Sequence, residues 1–345
     1  MSEDNGSAPR RYIDDYSNKL ILAPMVRANH LGFRLTCRDY GADIVYSEEL
    51  IAQKLKDTKR VVNEEAGTVD FMYKNGYAVY RTCERDHPNV LQMGASNAVV
   101  ALQAAQVVCG DVDGIDLNMG CPKHFSVHAG MGAALLQKPE TVHDILTTLK
   151  RNTTNSITCK IRLLDTVSST LDLMKMIEST GVSAIAVHAR HVVDRPRDRA
   201  NWEKLSEVVK SYFGVPLIVN GDVFVHEDIA KVREATNVSS VMIARGALYN
   251  ASIFQPHMES VDDVIKRYLR NSMDIDQHPS TTKWNIMQMM QEMKKRNPNE
   301  QLISQSKTMK DLSRWFDLED YYEQSTSAKL EKTTQAPPKK QKTEP

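Results

Sequence analysis

Eight short apolar runs lie between residues 20 and 244, at 20–23, 43–46, 89–93, 114–118, 157–161, 184–188, 216–220 and 240–244. Most are followed by a stretch with helical spacing of apolar residues: 31–40, 98–108, 141–151, 169–180, 202–212 and 226–236. Strands separated by helices must pair in parallel through right-handed crossovers. Eight such units within about 250 residues close into a barrel more readily than they extend an open sheet. The expected fold class is therefore α/β, a TIM (β/α)8 barrel over residues 17–255, followed by a smaller all-helical domain.

The unusual residues of these repeats collect where each run ends. Pro24 and Met25 follow the first and Glu48 the second; Gln92 lies in the third, and Asn118 and Cys121 follow the fourth. Lys160, His188, Asn220-Gly221-Asp222 and Ala244-Arg245-Gly246 continue the series. Carboxyl ends of strands are where such barrels keep their chemistry. The fourth run reads Asp-Gly-Ile-Asp-Leu-Asn-Met-Gly-Cys-Pro from Asp113 to Pro122, so Gly120 and Pro122 end the strand and put Cys121 on a loop. In the fifth, alternation turns Ile157, Cys159 and Ile161 outward and Thr158, Lys160 and Arg162 toward the barrel axis.

The remaining segments read differently. Residues 1–16 are polar and are expected to be a disordered leader. The insertion 52–88 carries a β-ribbon near 70–82, in which Lys74-Asn75-Gly76 suits a type I′ turn. From 256 to 323 no strand signal remains; Val264, Ile265, Tyr268 and Leu269, then Trp284, Ile286, Met287 and Met290, recur at helical spacing. Residues 324–345 form a Lys-, Thr- and Pro-rich tail, expected to be disordered.

Lys plus Arg and Asp plus Glu both number 44, so no global field drives the chain toward nucleic acid or membrane, and a polyanion must be met by local patches. No apolar run is long enough to span a bilayer and the N-terminus has no secretory apolar region, which reads as a cytoplasmic protein or one shared with the nucleus. Cys37, Cys83, Cys109, Cys121 and Cys159 contain no Cys-x-x-Cys pair, so neither a disulfide framework nor a metal site is expected.

A Gly-Asp pair after the seventh run and an Arg-Gly pair opening the helix after the eighth match the usual phosphate site of a TIM barrel. Lys160 adds a cation near the mouth, and Gln92 offers both a donor and an acceptor to a heterocycle edge. Together these features fit flavin mononucleotide (FMN), the cation favouring the anionic reduced ring. Taken singly, Lys160 also reads as a solvated strand end, His188 as a core histidine and Cys121 as an ordinary loop thiol.

The chain further resembles the tRNA-dihydrouridine synthases. The resemblance rests on Leu-Ala-Pro-Met (22–25), Leu-Gln-Met-Gly (91–94), Asp-Leu-Asn-Met-Gly-Cys-Pro (116–122), Gly-Ala-Ala-Leu-Leu (132–136), Lys-Ile-Arg (160–162), Val-Asn-Gly-Asp (219–222) and Ala-Arg-Gly (244–246), in order and spacing. It is most similar to the eukaryotic class acting on D-loop uridine 20. The resemblance implies that Pro24, Met25 and Val26 line FMN, that Gln92 hydrogen-bonds its ring, and that Lys160 compensates the reduced ring. His188, Asn220, Gly221, Asp222, Ala244 and Arg245 would hold the rest of the cofactor. NADPH would reduce FMN, hydride would pass to C6 of the uracil, and Cys121 would protonate C5, with Asn118 at the uracil edge. An unperturbed thiol, with a pKa near ~8.5, is protonated at neutral pH and suits that role.

The partner implied is tRNA, with its base extruded and no DNA or membrane. Arg190, Arg195, Arg197 and Arg199 would meet phosphates, and Lys266, Arg267, Arg270, Lys294, Lys295 and Arg296 would give the helical tRNA-binding domain a basic face. Two departures stand out. Many animal members of this class carry a double-stranded-RNA-binding domain after the helical one, where this sequence has its lysine tail, which leaves open how tRNA affinity is reached. The usual His-Gly-Arg is His188-Ala189-Arg190 here, which strains the loop if that position needs a positive φ. Two competing readings share these residues: an FMN-dependent reductase of a small free pyrimidine or enone, and a catalytically silent tRNA-binding barrel.

Overall fold

The protein, described by a computed structural model over residues 12–291 and 297–335, is built on a closed parallel barrel. In chain order the strands are β1 (Leu20–Leu22), β2 (Ile44–Tyr46), β3 (Leu50–Ile51), β4 (Lys59–Asn63), β5 (Thr68–Met72), β6 (Ala78–Thr82), β7 (Asn89–Gly94), β8 (Gly114–Asn118), β9 (Ser156–Arg162), β10 (Ala184–His188), β11 (Leu217–Asn220) and β12 (Ser240–Ile243). The order β2-β1-β12-β11-β10-β9-β8-β7 closes through Val45↔Asn89 and Tyr46↔Val90, and β3 extends the carboxyl end of β7 through Leu50↔Met93 and Ile51↔Gly94. All eight apolar runs of the sequence are barrel strands.

Strand alternation separates two cores. Ile157, Cys159 and Ile161 face outward into the large cluster shared with the surrounding helices. Ile21, Ala23, Ile44, Tyr46, Val90, Ala184, Ala186, Ile218 and Met242 fill the inside. Above them the inward residues turn polar: Gln92, Asp116, Asn118, Thr158 and Asn220 are all buried. The barrel is therefore sealed below and chemically equipped above, which places the chemistry at the carboxyl rim.

The seal comes from a segment expected to be disordered. Residues 12–16 enter the amino end of the barrel, where Ile13 and Tyr16 are buried, and Tyr16 Oη lies 2.7 Å from Ser156 Oγ. A Cβ on Gly114 would stand 3.0 Å from Tyr16 Oη and 2.7 Å from Ser156 Oγ, so glycine and serine make the space that the phenol fills. Two apolar residues in a polar stretch suffice because the barrel end is otherwise open. The expected leader at 1–11 lies outside the described residues.

The ribbon also differs from expectation. It is a three-stranded antiparallel sheet, β4-β5-β6, that begins before residue 70. Its tip is not a type I′ turn: Gly76 alone of the tip residues takes a positive φ, at 81°, while Tyr73 N donates to Tyr77 O and Gly76 N to Tyr73 O. This three-residue loop carries the left-handed residue last.

Beyond the barrel the chain is helical. Helix Val261–Asp274 packs against the first barrel helix, Leu31–Asp39, with Phe33 edge-on to Tyr268 at 6.3 Å. Gln277 Oε1 accepts from Gly32 N at 3.0 Å and Asn285 Nδ2 donates to Ala28 O at 2.9 Å, so buried polar contacts fix the helices to the first βα unit. The tail departs from expectation: helix Glu319–Gln335 continues past residue 324. Tyr321 Oη donates to Asp274 at 2.8 Å, Glu319 and Glu323 meet Arg314 and Lys310, and Lys329 Nζ donates to Met273 O. Residues 336–345 lie outside the description.

Candidate active site

Cys121 sits where β8 ends, on a loop held from several sides. Asn118 Oδ1 accepts from Gly120 N at 2.9 Å and Cys121 N at 3.0 Å, a side-chain turn that bends the chain off the strand. Cys121 O accepts from Ala133 N at 2.9 Å, and Arg162 Nε donates to Gly120 O at 2.7 Å. The thiol is half-buried and its pKa is raised, first by burial and then by the adjacent Glu49 carboxylate. It is a protonated donor at neutral pH rather than a ready nucleophile.

Beneath the loop a polar row crosses three strands in register. Asn118 Nδ2 donates to Gln92 Oε1 at 3.1 Å, Gln92 Nε2 to Asp116 Oδ2 at 2.8 Å, and Thr158 Oγ1 to Asp116 Oδ1 at 2.7 Å. Gln92, expected as a ring contact, accepts on its carbonyl from Asn118 and gives one N–H to Asp116. Asn118, expected at the uracil edge, accepts from the loop amides on its oxygen. Each amide keeps a second N–H beyond these bonds.

On the other side of the mouth lies an anion site. Arg190 is buried, donating to Asp198 O at 2.7 Å, to His188 Nε2 at 3.1 Å and to the Asp222 carboxylate. Arg245 donates to the same carboxylate at 3.2 Å. Asp222 holds a φ of 55° and Gly221 a φ of 133°; a Cβ on Gly221 would stand 2.9 Å from that of Ala200. The backbone therefore turns back under the two guanidiniums, where only glycine fits. Arg190, expected to meet RNA phosphates, is buried, and Asp222 aims it. Arg195, Arg197 and Arg199 are exposed as expected, the last two along an adjoining cleft with Trp202.

Cys121 and this anion site line one cavity of about 370 Å³. Lys123, Arg162, Arg190, Arg195 and Arg245 stand in its wall against only Asp194 and Asp222. A chain of zero net charge thus keeps a positive pocket, which draws an anionic ligand. Asn220, Gly221, Ala244 and His188 line the same cavity. His188 is pushed down by burial and then by Lys160, Arg162, Arg190 and Arg245, so it is neutral; its Nε2 accepts from Arg190, which leaves Nδ1 to donate. Lys160 is lowered to about 7, first by burial and then by Arg162. Asp116 is raised to about 6 by burial, against the bonds from Gln92 and Thr158.

Pro24 and Met25 are partly buried and Val26 is exposed on the loop after β1, outside the lining of that cavity. Glu48 fixes this loop by accepting from Arg27 N at 2.9 Å, and Arg27 lies over the Trp284 ring at 5.3 Å. Ala189 has no positive φ, so the methyl group brings no strain. Of the basic face expected on the helices, Lys266 and Arg267 lie 3.9 Å from Asp317 and Asp39 respectively, and Arg270 stacks on Tyr321. Lys294, Lys295 and Arg296 lie outside the described residues. Asp116 and Glu49 were not read as site residues. Asp116 alternates in step with Asn118 and Gly114, a signal of an inward carboxylate, whereas Glu49 is turned inward only by the short strand that follows it.

Residues 21–342 match the family model described as "Dihydrouridine synthase (Dus)". A Schizosaccharomyces pombe protein named tRNA-dihydrouridine(20) synthase [NAD(P)+] is 38% identical over 325 residues, covering 91% of this chain and 68% of its own length. The Saccharomyces cerevisiae protein of the same name is 35% identical, covering 80% of this chain and 78% of its own. A mouse protein named tRNA-dihydrouridine(20a/20b) synthase [NAD(P)+]-like is 30% identical, covering 80% and 81%.

Proposed function

The chain belongs to the dihydrouridine synthase family, and from that premise we propose that it is an FMN- and NADPH-dependent tRNA-dihydrouridine synthase that reduces the C5=C6 bond of a D-loop uridine. Position 20, the site in the names of both yeast relatives, is the target this reading favours. The observation that carries it is one cavity with a clamped, protonated cysteine in one wall and a buried arginine site in another.

The residues present fit a phosphorylated flavin. Arg190, Arg245, His188 and the Gly221 turn would hold its phosphate end, and Lys160, between Asp116 and Cys121, would supply a cation beside its ring. When bound, FMN supplies the hydride. Cys121 supplies the proton: its loop is bound at Gly120 N, Cys121 N and Cys121 O, so the donor is oriented before substrate arrives. Lys160, lowered to about 7 by burial and Arg162, is held as a cation more strongly once an anionic ligand stands beside it. Arg195, Arg197 and Arg199 at the rim are positioned for the phosphates of an RNA whose base has swung into the cavity.

The test separates this reading from a small-molecule reductase. Purified protein loaded with FMN should bleach with NADPH and regain its colour on addition of unmodified tRNA, but not of free uridine or uracil. Recovery with the free base as fast as with tRNA would overturn the assignment.

A further inference from the structure

Glu49 is more than nine-tenths buried, yet neither of its carboxylate oxygens has an aligned hydrogen-bond partner. The Ser126 hydroxyl is buried in the same condition. Such orphaned groups cost free energy and call for a reason. Two glycines build the space around them. A Cβ on Gly94 would stand 2.8 Å from Glu49 Oε1 and 3.4 Å from Met131 Sδ. A Cβ on Gly132, whose φ is 57°, would stand 2.5 Å from Ser126 Oγ and 3.0 Å from the Cys121 Cβ. The end of β7, the loop before β3 and the turn after Cys121 thus converge on one small cluster, in which Glu49 lies within reach of both the Cys121 thiol and the Ser126 hydroxyl.

We propose that Glu49 is the positioning and proton-relay residue for Cys121, orienting its S–H and returning its proton after each turnover. This rests on Cys121 being the acid of the reaction proposed above. In the transfer the S–H bond breaks, a C–H bond forms at C5 of the substrate, and a thiolate remains. That thiolate and the Glu49 carboxylate are two like charges in contact, so the pair takes up a proton from water, through the carboxyl group, onto sulfur. No oxidant or reductant enters this step.

The surrounding charges give the sign of the test. Lys123 faces Glu49, while Lys160 and Arg162 face Cys121; all three favour thiolate, and Glu49 opposes them. Burial raises Glu49 as well as Cys121, which favours proton uptake by the carboxyl. Removing the carboxylate leaves the thiol among cations, and its proton should come off at lower pH.

Iodoacetamide alkylation of Cys121, read by peptide mass spectrometry from pH 6 to 10 on FMN-loaded protein, measures this without turnover. Glu49→Gln should move the inflection down by about one pH unit, a tenfold faster alkylation below it. Glu49→Asp, with its charge withdrawn from sulfur, should give a smaller shift the same way. Profiles superimposable on wild type in both variants, with flavin content unchanged, would overturn the relay. Cys121→Ala separates the two ideas: wild-type reduction of tRNA by that variant would remove the acid assignment itself. An inactive Cys121→Ala beside unshifted Glu49 variants would remove only the relay.

Discussion

Asn118→Ala tests the claim that this side chain aims the cysteine. Its oxygen accepts from Gly120 N at 2.9 Å and Cys121 N at 3.0 Å. Two neutral hydrogen bonds at about 1 kcal/mol each bias the loop by about 2 kcal/mol. At about 1.36 kcal/mol per decade, their loss lowers the aligned fraction of Cys121 by about 30-fold. The bonds from Arg162 to Gly120 O and from Ala133 to Cys121 O remain, so the loop loosens without unfolding. The assay is stopped-flow in two halves, flavin reduction by NADPH and reoxidation by tRNA. Asn118→Ala should slow the second about 30-fold and leave the first unchanged. Asn118→Asp keeps an acceptor for both amides and should lose less. An undiminished second half-reaction in Asn118→Ala, or equal loss in both halves, would refute the reasoning.

Tyr16→Ala opens the amino end of the barrel and should cost about 3–5 kcal/mol in urea denaturation, the range for losing a buried aromatic ring; a change under about 1 kcal/mol would mean that residues 12–16 do not seal the barrel. Asp116 carries a pKa raised from 3.8 to about 6, so the stability it contributes is present below its unfolded pKa and is lost as pH rises through about 6. At about 1.36 kcal/mol per pH unit across the gap between those two values this makes a fall of about 3 kcal/mol in all, about 2 of it between pH 4 and 7, which Asp116→Asn should flatten in denaturation series across that window. Arg190→Ala should lower stability by about 1–3 kcal/mol, since its charged bond to Asp222 and its bond to Asp198 O are lost while Arg245 and Ala200 N keep the Asp222 carboxylate paired, whereas Arg245→Ala, with a side chain about one-third exposed, should chiefly lower flavin retention on gel filtration.

The barrel was legible because each strand announces itself twice, by an apolar run and by the polar or glycine residue that ends it. Cys121, His188 and the 220–222 turn were legible for the same reason, since they stand at strand ends, and Lys160 was legible from the inward alternation of β9. What escaped depends on distant partners. That Gln92 and Asn118 also bond one another depends on the side-chain geometry across β7 and β8, which no local pattern shows. Ile13 and Tyr16 lie in a polar stretch whose order comes from the barrel end that it plugs. Helix Glu319–Gln335 has little apolar face, and its contacts to Asp274, Lys310 and Arg314 come from other helices. Glu49 sits beside the exposed-looking Glu48, and no periodicity marks which of the two turns inward.

The central claim, that Cys121 protonates a tRNA uridine in this cavity, is tested most directly by mass spectrometry of nuclease-digested tRNA. Unmodified tRNA is incubated with FMN, NADPH and either wild-type protein or Cys121→Ala. The account expects two added hydrogens at a single D-loop uridine with wild type, and their loss or sharp reduction with Cys121→Ala. Equal dihydrouridine in both reactions, or none with a wild-type protein that holds flavin reducible by NADPH, would contradict it.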